Sequence, residues 1–202
     1  MQSHPSLAFA RALRTVFLDR DGVLNEKMPE GAYVTRWEEF RVLPGVPGAL
    51  ARLRQAGLRL IVISNQRGIA RGLYSIQDVD AIHARFQQLL QAHGVQIDAF
   101  LICPHDKGLC NCRKPLPGLF EQAAGRFPGV TAVTSVMIGD SLSDITFARR
   151  LGMPTILIEG DPERQRRGAA EARVLAEATF ASVADAADAL LEARQDVPEG
   201  RI

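Results

Sequence analysis

The sequence predicts an α/β fold, a Rossmann-like parallel sheet with helices on both faces. Three observations predict it: short apolar runs alternate with stretches of helical spacing, glycines stand where the helices should stop, and several apolar runs end abruptly in acidic or polar residues. A strand covered on both faces reads as a continuous apolar run, and in open α/β sheets ligands bind beyond the carboxyl ends of the strands.

Met1 to Arg14 carries little pattern beyond Leu7, Phe9 and Leu13, and reads as a loosely held arm. The first strand, Thr15 to Asp19, runs through Val16, Phe17 and Leu18 into Asp19, with Asp21 and Gly22 just beyond. Arg20 to Gly45 has too little periodicity for a long helix. Its Pro29, Tyr33, Trp37 and Phe40 suit an extended flap over the strand end, a place for substrate contacts.

Pro47 to Ala56 has the apolar spacing of a helix, stopped by Gly57. A second strand, Leu58 to Ile63, ends at Ser64 and Asn65. Ser75 is placed to cap the next helix with Asp78 three residues on, and Val79, Ile82, Phe86, Leu89 and Leu90 form its buried stripe up to Gly94. A third strand, Ile97 to Cys103, leads into a loop of cysteine, proline and glycine, and a helix covers Pro117 to Arg126 with proline in its first turn. The fourth strand, Ser135 to Ile138, ends in Gly139 and Asp140. Ser141 to Leu151 is helical, Thr155 to Ile158 is a fifth strand, and Glu163 to Arg194 reads as helical with an interruption at Thr179 to Ser182. Strands alternating with helices imply right-handed crossovers in one parallel sheet.

At 202 residues the chain suits a single domain over 1–202. With 24 basic against 23 acidic side chains, nothing suggests a nucleic-acid surface. No aliphatic run approaches the roughly 20 residues that span a bilayer, and the start lacks the pattern of a secretory signal. The expectation is a cytoplasmic protein with no membrane partner. Three cysteines crowded between 103 and 112 make a poor disulfide framework and a better metal site.

Asp19 and Asp21 reach one ligand if the chain turns after the strand, which Gly22 permits. A carboxylate held against a divalent cation is a nucleophile for phosphorus, and a second beside it a general acid and base; the alternative is a loop with two solvated acids. Asp140 and Asp144, four apart, face the same site from the start of a helix and complete an oxygen shell for magnesium, or else cap that helix and pair with its dipole. Ser64 and Asn65, with Gly68 close behind, suit phosphoryl oxygens or a simple turn. Lys114 offsets charge on a transferred phosphoryl and Arg113 grips a second anion, unless both are solvated surface charges. CPHDKGLCNC supplies Cys103, His105, Cys110 and Cys112, and three thiolates with one imidazole fill a tetrahedral zinc shell with no open position. Zinc there would be structural and would staple the 103–112 loop; the alternative is buried unliganded thiols with a surface histidine. His4, His83 and His93 read as exposed or helix-face histidines, and Arg164, Arg166, Arg167 and Arg173 as a solvated helix face.

With DRDGVLN, VISNQ, Lys114 and GDSLSD in this order, the chain closely resembles the haloacid dehalogenase superfamily of phosphohydrolases, whose four motifs these match from Asp19 to Asp144. The zinc quartet followed by RKP narrows the resemblance to a small-capped branch of heptose-bisphosphate phosphatases and histidinol-phosphatases, and NQRGIARG is more similar to the former. The resemblance implies no large cap domain, Mg2+ and Zn2+ as cofactors, and a small phosphorylated sugar as substrate. It implies removal of the 7-phosphate of D-glycero-D-manno-heptose 1,7-bisphosphate by a monomer, with a histidinol-phosphatase or a non-catalytic phospho-ligand module as alternatives. By the same resemblance Asp19 attacks phosphorus and Asp21 protonates the leaving oxygen, then activates water. Magnesium is held by Asp19, Asp140 and the main-chain carbonyl of Asp21. Ser64 and Lys114 hold the phosphoryl, and Asn65, Gln66, Arg67 and Arg113 line the substrate. Two departures stand out: Ser141 replaces a lysine common after the fourth-motif aspartate, and the flap is slightly long between Glu26 and Tyr33.

Overall fold

A computed structural model describes residues 7–164 and 167–195. Six strands form one sheet: β1 (Thr15–Leu18), β2 (Arg59–Asn65), β3 (Ala99–Cys103), β4 (Ser135–Gly139), β5 (Thr155–Ile158) and β6 (Ala178–Phe180). Their order is β3-β2-β1-β4-β5-β6 and every pair is parallel. β1 lies between β2 and β4, so successive crossovers leave the centre in opposite directions. The switch point falls at the tips of β1 and β4, where such sheets open a crevice.

The helices are α1 (Val46–Gln55), α2 (Ile76–Gln91), α3 (Gly118–Arg126), α4 (Leu142–Arg150), α5 (Ala169–Leu175) and α6 (Val183–Gln195). Strand side chains alternate between two layers. Val16, Leu18, Leu60, Val62, Val136 and Ile138 face Leu50, Leu53, Ile82, Phe86 and Leu190 of α1, α2 and α6. Phe17, Ile61, Ile63 and Met137 face Leu119, Ala123, Phe147 and Ala148 of α3 and α4. The capping box of α2 forms as its sequence suggests: Ser75 Oγ accepts from the Asp78 amide, and Asp78 accepts from the Ser75 amide.

The flap packs onto the first of these layers. Val34 and Phe40 are buried there, and the flap's two ends are tied by the Glu26 amide to Arg41 O (2.8 Å) and the Leu43 amide to Leu24 O (3.0 Å). Among the described residues no helix is long and apolar enough to cross a membrane.

Three expectations are corrected. From Leu7 onward the N-terminal segment is not loose: Ala8–Ala12 is a 3-10 turn, and Leu7, Ala10 and Leu13 are buried in the core. Three apolar contacts against α6 and the sheet are enough to hold it, a signal too sparse for any periodicity. The helical tail is interrupted where expected, but Thr179 and Phe180 belong to a sixth strand, β6, an edge strand too short to show alternation and defined by its pairing with β5. His83 is buried, stacked on Phe100 with ring centroids 4.4 Å apart. His93 is exposed, as are Arg167 and Arg173, although Arg173 is ion-paired with Glu159. His4 and Arg166 lie outside the described residues.

His83 makes the fold sensitive to acid. Burial, with the Arg20 guanidinium nearby, holds its pKa down to about 3 from an ordinary 6.5. The folded chain therefore keeps it neutral, while the unfolded chain protonates it below about pH 6.5. Its contribution to stability is full above that pH and is lost as pH falls towards 3, with about 2 kcal/mol gone by pH 5. Urea unfolding at pH 7.5 and pH 5 should show a smaller acid-induced loss in His83→Leu than in the wild type. Equal losses would contradict the neutral buried imidazole.

Candidate active site and metal centre

Four strand tips converge at the switch point. Asp19 follows β1 and its amide donates to Ile138 O of β4 (2.9 Å), which fixes the start of the turn. Gly22 completes it at φ +97°, a left-handed value, and a Cβ there would lie 2.0 Å from Asp140 Oδ2. Only glycine lets the β1 loop close against Asp140.

Carboxylate oxygens of Asp19, Asp140 and Asp144 lie within 4.8 Å of one another. Lys114, with its side chain 1% exposed, places Nζ 2.8 Å from Asp19 Oδ1, 2.6 Å from Asp144 Oδ1 and 2.8 Å from Ile63 O. Lys27, from the flap, is buried and ion-paired with Asp140. Burial, with Asp144 and then Asp140 beside it, pushes the Asp19 carboxyl up to about 7 against the pull of Lys114. Although burial alone would lower it, Asp144 and Asp19 hold the Lys114 ammonium above its ordinary range. The acids remain crowded, and a hard divalent cation with oxygen ligands is what relieves that crowding.

Asp21 lives in a different environment. Arg20 donates to both its oxygens (Nε to Oδ2 and NH2 to Oδ1, each 3.1 Å), Asn25 Nδ2 to Oδ1 (3.0 Å) and Gln66 Nε2 to Oδ2 (3.2 Å). Against the cost of burial, Arg20 and these hydrogen bonds hold Asp21 below the usual carboxylate range. It rests as an anion, ready to take a proton, and negative charge brought close by a phosphate ester raises its pKa towards donation. Without a cation or an ester the two carboxylates have tendencies opposite to a nucleophile at Asp19 and an acid at Asp21; a divalent cation beside Asp19 would lower the first, and an anionic ester beside Asp21 would raise the second.

The second cluster stands at the end of β3. Sγ of Cys103 is 3.5 Å from that of Cys110, Sγ of Cys110 is 3.4 Å from that of Cys112, and His105 Nδ1 is 3.3 Å from Cys112 Sγ and 3.9 Å from Cys103 Sγ. Four thiolate or imidazole ligands about 2.0–2.3 Å from a tetrahedral zinc sit some 3.5–3.8 Å from one another, close to these separations. The donor set therefore fits zinc and leaves no position open.

A family model described as HAD-hydrolase-like matches residues 111–188. A D-glycero-alpha-D-manno-heptose-1,7-bisphosphate 7-phosphatase of Mycobacterium tuberculosis is 39% identical over 180 residues, spanning 89% of this chain and 92% of that protein. The chain belongs to the haloacid dehalogenase-like family of hydrolases. A D-glycero-beta-D-manno-heptose-1,7-bisphosphate 7-phosphatase of Bordetella bronchiseptica is 39% identical to this haloacid dehalogenase-like chain over 153 residues, 73% of this chain and 81% of that one. The crystal structure of D,D-heptose 1,7-bisphosphate phosphatase from B. bronchiseptica, complexed with magnesium and phosphate, superposes with a TM-score of 0.77 at 32% identity, covering 89% of this chain and 99% of that chain.

Within this haloacid dehalogenase-like site, the side chains expected to line substrate divide. Asn65 Nδ2 donates to Lys114 O (3.0 Å) and its Oδ1 accepts from the Lys114 amide (3.0 Å), so it clasps the backbone that carries the lysine. Gln66 is 2% exposed with both ends of its amide engaged, and it is internal. Both sit where the turn after β2 folds back under β3, since the Gln66 amide donates to Cys103 O (2.8 Å). Arg67 is partly exposed at the rim, bidentate to Asp106 of the cysteine loop (2.6 and 3.1 Å). Arg113 keeps a buried NH1 without a hydrogen-bond partner and lies close enough to Asp106 to join Arg67 in lowering its carboxyl pKa. Ser64 Oγ accepts from Gln66 Nε2 (2.8 Å).

Asp144 caps α4 with Ser141, as one of its two readings had it, and its carboxylate also lies with those of Asp19 and Asp140; its pairing with Lys114 was not foreseen. Sequence reasoning missed Lys27, Arg20 and Tyr74. Arg20 had a signal, a cation between two acids; Lys27 had none, because its partner Asp140 comes from a distant strand end, and Tyr74 had none, because its bond to Gln66 spans an irregular turn with no spacing rule.

Proposed function

We propose that this protein is a magnesium-dependent phosphomonoester hydrolase that removes the 7-phosphate of a D-glycero-D-manno-heptose 1,7-bisphosphate, with residues 1–202 as one phosphatase domain. The observation that carries the reading is the buried Asp19 carboxylate, 2.8 Å from the Lys114 ammonium and grouped with Asp140 at the sheet's switch point. The names of the relatives from Mycobacterium tuberculosis and B. bronchiseptica support the substrate.

Asp19, Asp140 and the Asp21 carbonyl would hold magnesium, which when bound neutralises charge on the phosphoryl oxygens. Lys114 and Ser64 grip those oxygens from the opposite side. Asp21 takes up a proton from solvent as the anionic ester binds; an Asp19 oxygen then attacks phosphorus in line as the bond to the sugar oxygen breaks, and Asp21 passes that proton to the leaving oxygen. Asp21, again an anion, then takes a proton from a water that attacks the aspartyl-phosphate, releasing phosphate and restoring Asp19. Arg113, with Arg67 at the rim, is placed to receive the second anionic group of a bisphosphate. Cys103, His105, Cys110 and Cys112 hold a structural zinc. Every side chain invoked comes from one chain, so a monomer suffices.

A panel of substrates tests this. With magnesium present, kcat/KM for one or both anomers of the heptose 1,7-bisphosphate should exceed that for histidinol phosphate, which has no second phosphate, by at least about 10²-fold, the discrimination available when a buried cation is left without its anion, and should also exceed that for other sugar bisphosphates. Preference for histidinol phosphate would overturn the sugar assignment. Absence of magnesium-dependent phosphate release from all of them would overturn the enzyme.

A further inference from the structure

Behind Asp21 lies a set of buried polar side chains through which no phosphoryl oxygen or transferred proton passes. Gln66 is at its centre. Its Oε1 accepts from the Tyr74 hydroxyl (2.7 Å) and from Arg20 NH2 (3.2 Å), while its Nε2 donates to Asp21 Oδ2 (3.2 Å) and Ser64 Oγ (2.8 Å). A carboxamide has nearly the same shape either way round, so its direction is set by what surrounds it. Arg20 has only donors, and Tyr74, buried and with its pKa pushed up to about 12, remains a protonated phenol. Arg20, with donors alone, and the Asp21 carboxylate, with acceptors alone, set the direction of the amide, and the Tyr74 hydroxyl donates to the oxygen end so defined and holds it in place. The reverse orientation would set Oε1 against the Asp21 carboxylate and the NH2 group against the Arg20 guanidinium, which buried groups do not tolerate.

Tyr74 is itself held firmly. It lies in the turn before α2, and its ring packs so closely on Gly68 that a Cβ there would approach to 2.1 Å. On the flap, Tyr33 tilts against it with ring centroids 5.8 Å apart.

We propose that Tyr74 is a positioning residue: its hydroxyl fixes the Gln66 amide, and that amide holds the Asp21 carboxylate where the leaving oxygen needs its proton. The proposal rests on reading Asp21 as the proton donor of a phosphatase. Tyr74 touches no reacting atom and acts only through Gln66.

The value of kcat/KM reports steps up to the first irreversible one, here cleavage of the ester bond. A sugar alkoxide leaves badly and needs a proton, whereas 4-nitrophenolate leaves unaided, so only the first ester senses a misplaced Asp21. For Tyr74→Phe, which keeps the ring packing, kcat/KM should fall about tenfold with the heptose bisphosphate and stay within about twofold with 4-nitrophenyl phosphate. Gln66→Met also removes the donor to Ser64 Oγ, so both constants should fall, that for the sugar ester by the larger factor. The ratio of the two constants is independent of the fraction of folded protein, so it decides the matter even if a variant is less stable. Equal losses on both esters, or no loss on the sugar ester, would overturn the role of Tyr74. A wild type that hydrolyses neither ester would instead overturn the reading of the site itself.

Discussion

Asp19→Asn is expected to reduce magnesium-dependent phosphate release by at least about 10⁴-fold while leaving the fold as stable as the wild type or more so. The loss follows because an amide oxygen is a poor nucleophile, and removing an attacking group commonly costs that much or more. The gain in stability follows from the crowding of Asp19, Asp140 and Asp144 within 4.8 Å and from the raised pKa of Asp19, both marks of a group held where the fold would not otherwise keep a charge. Lys114 retains Asp144 and Ile63 O as partners in the variant, so no ammonium is stranded. Phosphate release and thermal melting on the same preparation check both halves. Turnover within tenfold of the wild type would remove Asp19 from the reaction, and unfolding would show that its charge is structural.

The second large effect concerns the cysteine loop. Wild-type protein prepared without chelator should carry zinc at a ratio near one per chain, and Cys110→Ser with Cys112→Ser should abolish it. Such a site binds with several kcal/mol or more of free energy coupled to ordering of the loop. Lys114 stands two residues past Cys112, so an unstapled loop shifts the ammonium that faces Asp19. A displacement of about 1 Å at a positioning group costs roughly 10²-fold in rate. The double variant should therefore lose about that much in kcat with a lower melting midpoint. Zinc-free wild type by elemental analysis would refute the clamp, and full activity in the double variant would uncouple it from catalysis.

The places where sequence was an adequate guide share a physical cause. β1, β2, β4 and β5 are buried on both faces, so their apolar runs and polar ends stand out. Ser75 with Asp78 and the four zinc ligands are patterns local in the chain, readable without tertiary knowledge. What escaped is decided between distant segments. The three residues of β6 become a strand by pairing with β5, and His83 is driven inside by Phe100 from a neighbouring strand. Asn65 and Gln66, polar residues at a strand tip, have the composition of ligand contacts. Their actual partners, Lys114 and Tyr74, lie 49 and 8 residues away. Lys27 meets Asp140 across 113 residues, a pairing no spacing rule predicts.

The Asn65 clasp on the Lys114 main chain would give the proposed phosphate grip of Ser64 and Lys114 a fixed span. Ser64 and Lys114 arrive from opposite sides of a crossover that includes a whole helix, yet the paired amide bonds make their two anchor points one rigid caliper. If either strand tip is displaced, both jaws travel together. A change in substrate size is then accommodated at the flap and the arginine rim, leaving the gauge of the phosphoryl pocket untouched.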